Sequence, residues 1–216
     1  QSNMGPLQDI PHVDILKPIT KYARTARIAE QVIRELDLAY SCSMGHLAEP
    51  GPAYIEIPTD VLRKEINDKL ILNEWLMEKK NYTLSPNKED INAAIDTIKK
   101  SKKPVIITGR GAKSSGKSIK QFLNKTGILY LDTQESKGLI SQDHPSNVYS
   151  ARSKVMSETD CVILIGRKLD YQLAFGSTAI FKNAKFIRIS SNPYELLDNR
   201  RGYPEILSDP GLCLKQ

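Results

Sequence analysis

The feature that most restricts how this chain can fold is the segment Cys161–Ile165, five consecutive apolar residues bounded by Asp160 and Gly166. A strand without a polar face must be buried on both sides, which is typical of a parallel sheet covered by helices. No apolar segment in the 216 residues approaches the roughly 18 residues that a membrane-spanning helix needs. We therefore expect a layered α/β domain and no membrane partner.

Strand and helix patterns alternate around this segment. Short apolar runs bounded by Gly, Pro or polar residues predict further strands at 53–57, 105–108, 128–131 and 185–189. Apolar residues at helical spacing predict helices at 28–40, 91–98, 119–123 and 151–157, and a helical start at 193–197. This alternation predicts a Rossmann-like parallel sheet flanked by helices.

The same patterns predict how the chain is divided into domains. Residues 1–7 are interpreted as a tag remnant and lead-in, because they lack the succession of a signal peptide. Residues 8–66 hold a helix and a Pro-bounded strand, and 67–86 is a polar, aperiodic linker. The Rossmann-like domain is expected at 87–216.

Charge and cysteine usage limit the partners. The net charge is +6, and residues 97–131 contain nine Lys or Arg but no Asp or Glu. Such a stretch suits either an anionic partner or a solvated basic helix face. It lacks the interleaved aromatic residues of a single-strand surface, so no nucleic acid is expected. The three cysteines are widely spaced, which predicts no metal site and a reducing, cytoplasmic location.

Ligands of open parallel sheets bind beyond the carboxyl ends of the strands. The loops at 109–115, 132–138, 166–170 and 190–192 follow four predicted strands. We expect any small-molecule site to be formed by these loops.

One of these loops continues into a possible P-loop. The sequence from Gly111 to Ser118 is a literal G-x-x-x-x-G-K-[ST] match that follows a predicted strand. In a nucleoside-triphosphate-binding protein, Lys117 would bind phosphate and Ser118 magnesium, and Asp132 would be the acidic residue that helps to hold the metal. This alternative remains open from the motif alone.

Several longer segments resemble a known enzyme family. Residues 51–62 closely resemble the segment that closes the pyrimidine-binding domain of acetolactate-synthase-like thiamine diphosphate enzymes. Residues 16–21 resemble a strand that precedes a helix in that domain, and 103–112, 136–138 and 159–170 resemble parts of the central domain. The resemblance extends from residue 8 to about 207, and it places 116–118 within the first turns of a helix, where a P-loop match is coincidental.

The resemblance implies a fragment, namely the end of the pyrimidine-binding domain followed by the central domain. The whole enzyme would be a thiamine-diphosphate-dependent carboligase or lyase acting on 2-oxo acids, with a 2-hydroxyacyl-CoA lyase or decarboxylase as the alternative. Family members hold thiamine diphosphate and Mg²⁺ through segments that this sequence lacks. We therefore assign no catalytic or metal-binding residue and expect an inactive fragment, whose partners are the missing domains and, at full length, further copies of the chain.

The central domain of this family carries FAD, an adenine nucleotide, part of coenzyme A, or nothing. Nine loop residues match its cofactor-binding positions: Gly109, Arg110, Gly111, Thr133, Lys137, Gly138, Gly166, Arg167 and Asp170. Two simpler explanations stay open, that the first two glycines only make a tight turn and that Arg167 pairs with Asp170. After the last predicted strand, Ser190, Ser191 and Asn192 stand where flavin-binding members have acidic residues, which argues against tight FAD binding.

Overall fold

A computed structural model describes residues 10–46, 49–67, 83–199 and 202–216. The chain forms two compact units, Gln1–Asn81 and Tyr82–Gln216. The predicted tag remnant at 1–7 and most of the predicted linker lie outside the described residues, so the predicted domain boundaries stay predictions. In the part of the chain that is described, none of the helices combines the length and hydrophobicity needed to cross a bilayer.

The first unit contains a two-stranded parallel sheet and short helices. Its elements are α1 (His12–Leu16), β1 (Tyr22–Thr25), α2 (Val32–Met44), β2 (Ala53–Glu56) and α3 (Thr59–Leu62), with 3₁₀ turns at Lys17–Ile19 and Ala29–Gln31. Tyr22 lies opposite Ala53 in the sheet. The strand predicted at 53–57 is thereby confirmed.

The strand that the family resemblance implied at residues 16–21 is wrong. Lys17–Ile19 forms a 3₁₀ turn with Pro18 near its start, and the strand begins only at Tyr22. The fixed φ of proline suits the first turn of a helix, and its missing N–H removes one ladder hydrogen bond. The resemblance misplaced the strand by a few residues, and its assignment of this segment to the pyrimidine-binding domain stays a prediction.

The helix predicted at 28–40 is present as α2, preceded by a 3₁₀ turn. Its apolar stripe is largely open, because Ile28 and Leu36 are each 48% exposed and Tyr40 is 55% exposed. The spacing predicted the helix, but within the described residues no layer covers this face.

The second unit contains a five-stranded, all-parallel sheet in the order β4-β3-β5-β6-β7. Its strands are β3 (Pro104–Thr108), β4 (Leu129–Leu131), β5 (Cys161–Ile165), β6 (Lys185–Ser190) and β7 (Gly202–Leu207). Its α-helices are α4 (Lys88–Lys100), α5 (Gly116–Thr126), α6 (Arg152–Glu158), α7 (Pro193–Leu197) and α8 (Pro210–Cys213), with 3₁₀ segments at Arg110–Ser115, Gln134–Ser136, Tyr149–Ala151 and Tyr171–Gly176. The predicted parallel α/β fold is confirmed.

Strand β5 lies in the middle of the sheet, and every one of its residues is buried. Ile163 packs into a cluster with α4 and α5, whereas Val162 and Leu164 pack on the other face with Met156 of α6. Successive side chains of a strand point to opposite faces, so both faces of β5 need an apolar cover. The absence of polar residues in this segment follows directly.

Strand β7 was not predicted. It contains Pro204, and a proline within a short apolar run argues against a central strand. The observed strand lies at the edge of the sheet next to β6, where a missing N–H is tolerated.

Local signals account for the ends of two helices. Asn87 caps α4 through its side chain, which accepts a hydrogen bond from the Glu89 amide at 2.9 Å. Gly127 ends α5 with a φ of 66°, and its amide donates to the Leu123 carbonyl at 2.8 Å. A glycine in the left-handed conformation is a common way for an α-helix to end.

The strand order determines which loops meet. In the second unit the chain first forms β3 and then β4, which lies on one side of β3. It then crosses to β5 on the other side of β3, so β3 and β5 flank the switch point of the sheet. Ligands of doubly wound sheets bind outside the carboxyl ends of the strands at this place. The loops that follow β3 and β5 are therefore the first place to look for a site.

Candidate functional site

The loops after β3 and β5 contact each other through their backbones. The amide of Gly109 donates to the Ile165 carbonyl, and that of Gly111 to the Gly166 carbonyl, each at 3.0 Å. The amide of Ala112 donates to the Gly109 carbonyl at 3.1 Å. These three amides are already used within the protein, so a phosphate could recruit them only by breaking existing hydrogen bonds.

Gly166 makes this contact possible. Its φ is +54°, and a Cβ built on it would lie 2.3 Å from the carbonyl carbon of Gly111. A side chain at this position would meet backbone that cannot move aside, in a conformation that L-residues disfavour. The tight-turn explanation for these glycines therefore matches the geometry, while their predicted nucleotide contacts stay predictions.

Arg110 differs from its glycine neighbours because its side chain is accessible. Its side chain is 66% exposed, and its Nε atom lies 3.9 Å from Oε1 of Glu135, an exposed partner. Exposed pairs of this kind contribute little, about 0 to 1 kcal/mol, so an anionic ligand could compete for the guanidinium.

The loop after β4 is held inward by hydroxyl groups. Thr133 Oγ1 donates to the Thr108 carbonyl at 2.8 Å, and Ser136 Oγ accepts from the Thr133 amide at 3.0 Å, which closes a small capping box. Thr108 Oγ1 lies 2.8 Å from the Tyr130 hydroxyl. Burial raises the pKa of Tyr130 to about 12, so this hydroxyl stays protonated at neutral pH. The hydroxyl proton of Thr133 is therefore used in a hydrogen bond within the fold.

Lys137 and Gly138, further along the same loop, face outward. Lys137 is exposed, and Gly138 has a φ of +81° with no atom of the described residues within 4 Å of its Cβ position. This end of the loop has room for a ligand and a cation to bind it.

Arg167 and Asp170 pair with each other after β5. Nη1 and Nη2 of Arg167 donate to the two carboxylate oxygens of Asp170 at 2.8 and 2.9 Å, and Nη2 also donates to Gln172 Oε1 at 2.7 Å. Partial burial raises the pKa of Asp170, but the hydrogen bonds and charge of Arg167 outweigh it and lower the pKa below its ordinary value. The pairing left open from the sequence is therefore observed.

This pairing leaves one donor of Arg167 unused. The Arg167 side chain is only 4% exposed, and its buried Nε atom has no hydrogen-bond partner among the described residues. Buried donors are normally paired, so an unpaired one at a strand's carboxyl end is compatible with a ligand acceptor.

An acidic group does lie at the end of β6, contrary to the expectation from Ser190, Ser191 and Asn192. Glu195 is 7% exposed, and its Oε2 atom accepts a hydrogen bond from Ser190 Oγ at 2.8 Å. The carboxylate comes from the first turn of α7, which Asn192 caps. The Asn-Pro helix start was the signal that could have placed Glu195 here.

Sequence reasoning also missed a buried arginine. Arg188 is 1% exposed, and its Nη1 atom donates to the carbonyl oxygens of Leu196 at 3.2 Å and Asp198 at 2.7 Å. Its Nη2 atom donates to the Glu195 carbonyl and the Asp198 carboxylate, and Glu205 of β7 lies 3.6 Å from Nη1. Arg188 thus ties β6 to the end of α7 and to β7. Its contacts are structural, because they are made to backbone carbonyls and carboxylates of the same unit that surround this strand end.

The P-loop match does not form a P-loop. Arg110–Ser115 is a 3₁₀ helix that continues into α5 at Gly116, so no open loop separates the two glycines of the motif. Ser118 is 9% exposed, and α8 packs against α5. A hydroxyl in this position is not available to a bound magnesium ion, so the structure does not support the P-loop alternative.

Comparison with known proteins agrees with this geometry. A family model described as "Thiamine pyrophosphate enzyme, central domain" matches residues 91–216. This match covers more than half of the chain, which therefore belongs to the family of thiamine pyrophosphate enzymes through its central domain.

Curated relatives are similar over almost the whole chain. A 2-hydroxyacyl-CoA lyase from Arabidopsis thaliana is 30% identical over 89% of this chain, and an oxalyl-CoA decarboxylase from Escherichia coli K12 is 26% identical over 91%. A 2-hydroxyacyl-CoA lyase 1 from Mus musculus is 27% identical over all of it. The chain spans only about a third of each relative, namely 34%, 35% and 37% of their lengths.

A solved structure gives the same result for the fold. It is a candidate thiamin diphosphate-dependent enzyme from Mycobacterium smegmatis, with a TM-score of 0.70 and 18% identity to this chain. The match covers 94% of this chain and 40% of that one. At this identity the likeness concerns the fold alone.

Proposed function

We propose that this chain is the central-domain portion of a thiamine-diphosphate-dependent enzyme that cleaves a carbon–carbon bond in an acyl-CoA substrate. The observation that carries this proposal is the set of relatives, which are 2-hydroxyacyl-CoA lyases and oxalyl-CoA decarboxylases at 26 to 30% identity. They favour the acyl-CoA alternative over the acetolactate-synthase type with 2-oxo acid substrates.

The chemistry itself is assigned to other parts of the whole protein. Thiamine diphosphate stabilises carbanions when it is bound, and the protein around it supplies binding and orientation. We assign the binding of this cofactor and its Mg²⁺ to the rest of the whole protein, and the described part of the chain has no group of three or more His, Cys, Asp or Glu that could hold a metal ion. We therefore derive no catalytic step from it. Its assembly with the remaining domains and into a cytoplasmic homo-oligomer belongs to the same proposal.

For this portion itself we propose binding of an adenine nucleotide at the carboxyl ends of the strands of the sheet. Arg110 and Lys137 offer exposed positive charges, and the unpaired Nε of Arg167 offers a buried donor. Because the glycine amides are already bonded, recognition of the phosphates falls on these cationic side chains. Tight FAD binding is not expected, since the Glu195 carboxylate at the end of β6 is buried and already accepts a hydrogen bond from Ser190 Oγ.

Calorimetric titration of the chain with ADP, coenzyme A, FAD and ATP with magnesium tests this proposal. We expect ADP and coenzyme A to bind with dissociation constants of about 10 to 100 µM, and FAD to give no heat of binding. Loss of one charge–phosphate contact costs about 1.5 to 3 kcal/mol, so Arg110→Gln and Lys137→Gln should each weaken ADP about tenfold or more. The matched control is Lys120→Gln, which removes an exposed lysine of α5 outside the predicted loops.

Each other outcome has a definite meaning. Micromolar FAD binding would favour the acetolactate-synthase branch. Magnesium-dependent ATP binding that is lost in Lys117→Ala would restore the P-loop alternative. Silence toward all four ligands would show that this portion is structural, and turnover of a 2-hydroxyacyl-CoA by the chain with thiamine diphosphate would contradict the assignment of catalysis to other domains.

A further inference from the structure

A concave site lies at the amino ends of strands β3 and β4 of the five-stranded sheet. Its volume is about 450 Å³, and all the residues that line it belong to the second unit. Small-molecule sites usually have volumes of about 300 to 1,000 Å³. The proposed nucleotide site lies at the carboxyl ends of the strands, so this pocket has no part in it.

Part of the pocket lining is apolar. It is formed by Pro104 at the start of β3, Ile128 and Leu129 at the start of β4, and Val155 of α6. Leu129 is 36% exposed and is the first residue of β4, which lies at the edge of the sheet. An apolar ligand group could bury this surface.

Lysines also line the pocket. The carboxylate oxygens of Asp160 accept hydrogen bonds from the backbone amides of Lys102 and Lys103 at 2.8 and 3.0 Å, which holds this segment in place. Lys103 Nζ lies 2.9 Å from Glu158 Oε2, which pairs this lysine. Lys102 and Lys154 line the pocket without an ion pair within 4.0 Å among the described residues. Two cationic groups are thus left to meet a ligand.

The polar groups around the pocket decide the sign of its potential. Helices α5 and α6 end here, and each C-terminus contributes at most about half a negative charge. Two carboxylates add negative charge: Glu158, which is paired with Lys103, and Asp160, which stays ionised and accepts hydrogen bonds from Ser101 and two backbone amides. Against these two carboxylates and two helix ends stand four lysines, namely Lys102, Lys103 and Lys154 of the lining and Lys182, which also acts on Glu158. The balance is positive.

The remaining polar side chains have their own partners. Thr126 Oγ1 donates to the Phe122 carbonyl at 2.8 Å, and Thr159 Oγ1 donates to the Lys103 carbonyl at 2.7 Å. The lining therefore offers a ligand apolar surface and lysine side chains, and its two threonine hydroxyls already have acceptors.

We propose that this pocket binds a small amphiphilic anion. Its aliphatic or aromatic body would lie on Ile128, Leu129 and Val155, and its carboxylate would face Lys102 and Lys154. The inference goes beyond the proposed function and does not depend on it.

Decanoate is the probe for this site, with the amide resonances of the ¹⁵N-labelled chain as the readout. We expect saturable shifts at Gly127, Leu129 and Val155, and at least tenfold weaker binding of 1-decanol, which has the same tail without the charge. Lys154→Gln should weaken decanoate binding about fivefold or more, and Leu129→Asp should abolish it. Lys120→Gln, an exposed lysine outside the pocket, should change nothing.

Three results would overturn the proposal: no saturable shift, equal binding of decanoate and decanol, or equal weakening in Lys154→Gln and Lys120→Gln. A spectrum of Leu129→Asp that keeps the other amide positions verifies that this variant is folded. ADP is titrated into the same samples, so that failure of the pocket and failure of the nucleotide site are told apart.

Discussion

The two units contain similar secondary-structure elements but differ in how completely these elements are buried. Both contain neighbouring parallel strands and a helix with apolar residues at helical spacing. In the second unit all five residues of β5 are buried, whereas no residue of β1 or β2 in the first unit is fully buried. The buried apolar residues described in the first unit are small, namely Ala26, Ala29, Ala39 and Val61. The comparison shows that a strand or helix pattern predicts an element, while burial needs layers on both sides of it.

The largest difference in stability loss between the two units is expected from one glycine substitution in each. In Gly166→Ala the new Cβ meets backbone at 2.3 Å at a φ of +54°, whereas in Gly51→Ala it meets Lys21 Cγ at 2.5 Å on a flexible side chain. Left-handed strain and overpacking together predict a loss of at least about 3 kcal/mol for Gly166→Ala. For Gly51→Ala we expect about 0.5 kcal/mol, because the lysine can move. Urea denaturation measures both, and equal losses would contradict the structure.

Truncation of one isoleucine in each sheet is the next test. Ile106 of β3 is 0% exposed and packs in the cluster beneath α4 and α5, whereas Ile55 of β2 is only partly buried. Ile106→Ala should cost about 2 to 5 kcal/mol, and Ile55→Ala about 1 kcal/mol or less. Hydrogen exchange read separately on the β3 and β2 peptides distinguishes the units. If Ile55→Ala proved as costly as Ile106→Ala, the first unit would have a core that the described residues do not show.

The smallest expected difference concerns two tyrosines at high pH. Burial raises the pKa of Tyr130 to about 12, and burial with the Glu35 hydrogen bond does the same for Tyr22. The unfolded chain ionises near 10, so stability is present below that pH and is lost as the pH rises toward 12. At about pH 11 the loss for Tyr130 is about 1 kcal/mol, and for the more exposed Tyr22 it is smaller.

Stability measured against pH in Tyr130→Phe and Tyr22→Phe tests this. Tyr130→Phe should flatten the decline above pH 10 more than Tyr22→Phe does. A parallel decline in Tyr130→Phe and the unmodified chain would exclude a buried, protonated Tyr130.

Part of the candidate site followed from the sequence. The loops after β3, β4 and β5 were predicted from the alternation of elements, and the Arg167–Asp170 pair was one of two stated explanations. The Arg188 contacts were not predictable, because Arg188 looks like one polar residue in an apolar strand. Its partners lie 7 to 10 residues further on in α7 and its end, and across the sheet in β7.

The sequence by itself determined most strands and longer helices of the second unit and the faces that they bury. Five apolar residues required β5 to be covered twice, Asn87 started α4, and Gly127 ended α5, because each of these depends on side chains within a few residues. Only the tertiary structure decided what the loops can bind. The Gly111 amide finds its acceptor on Gly166, 55 positions along the chain, once β3 and β5 lie side by side. Hydrogen-bond partners between distant segments depend on strand order and close approach, which periodicity does not encode.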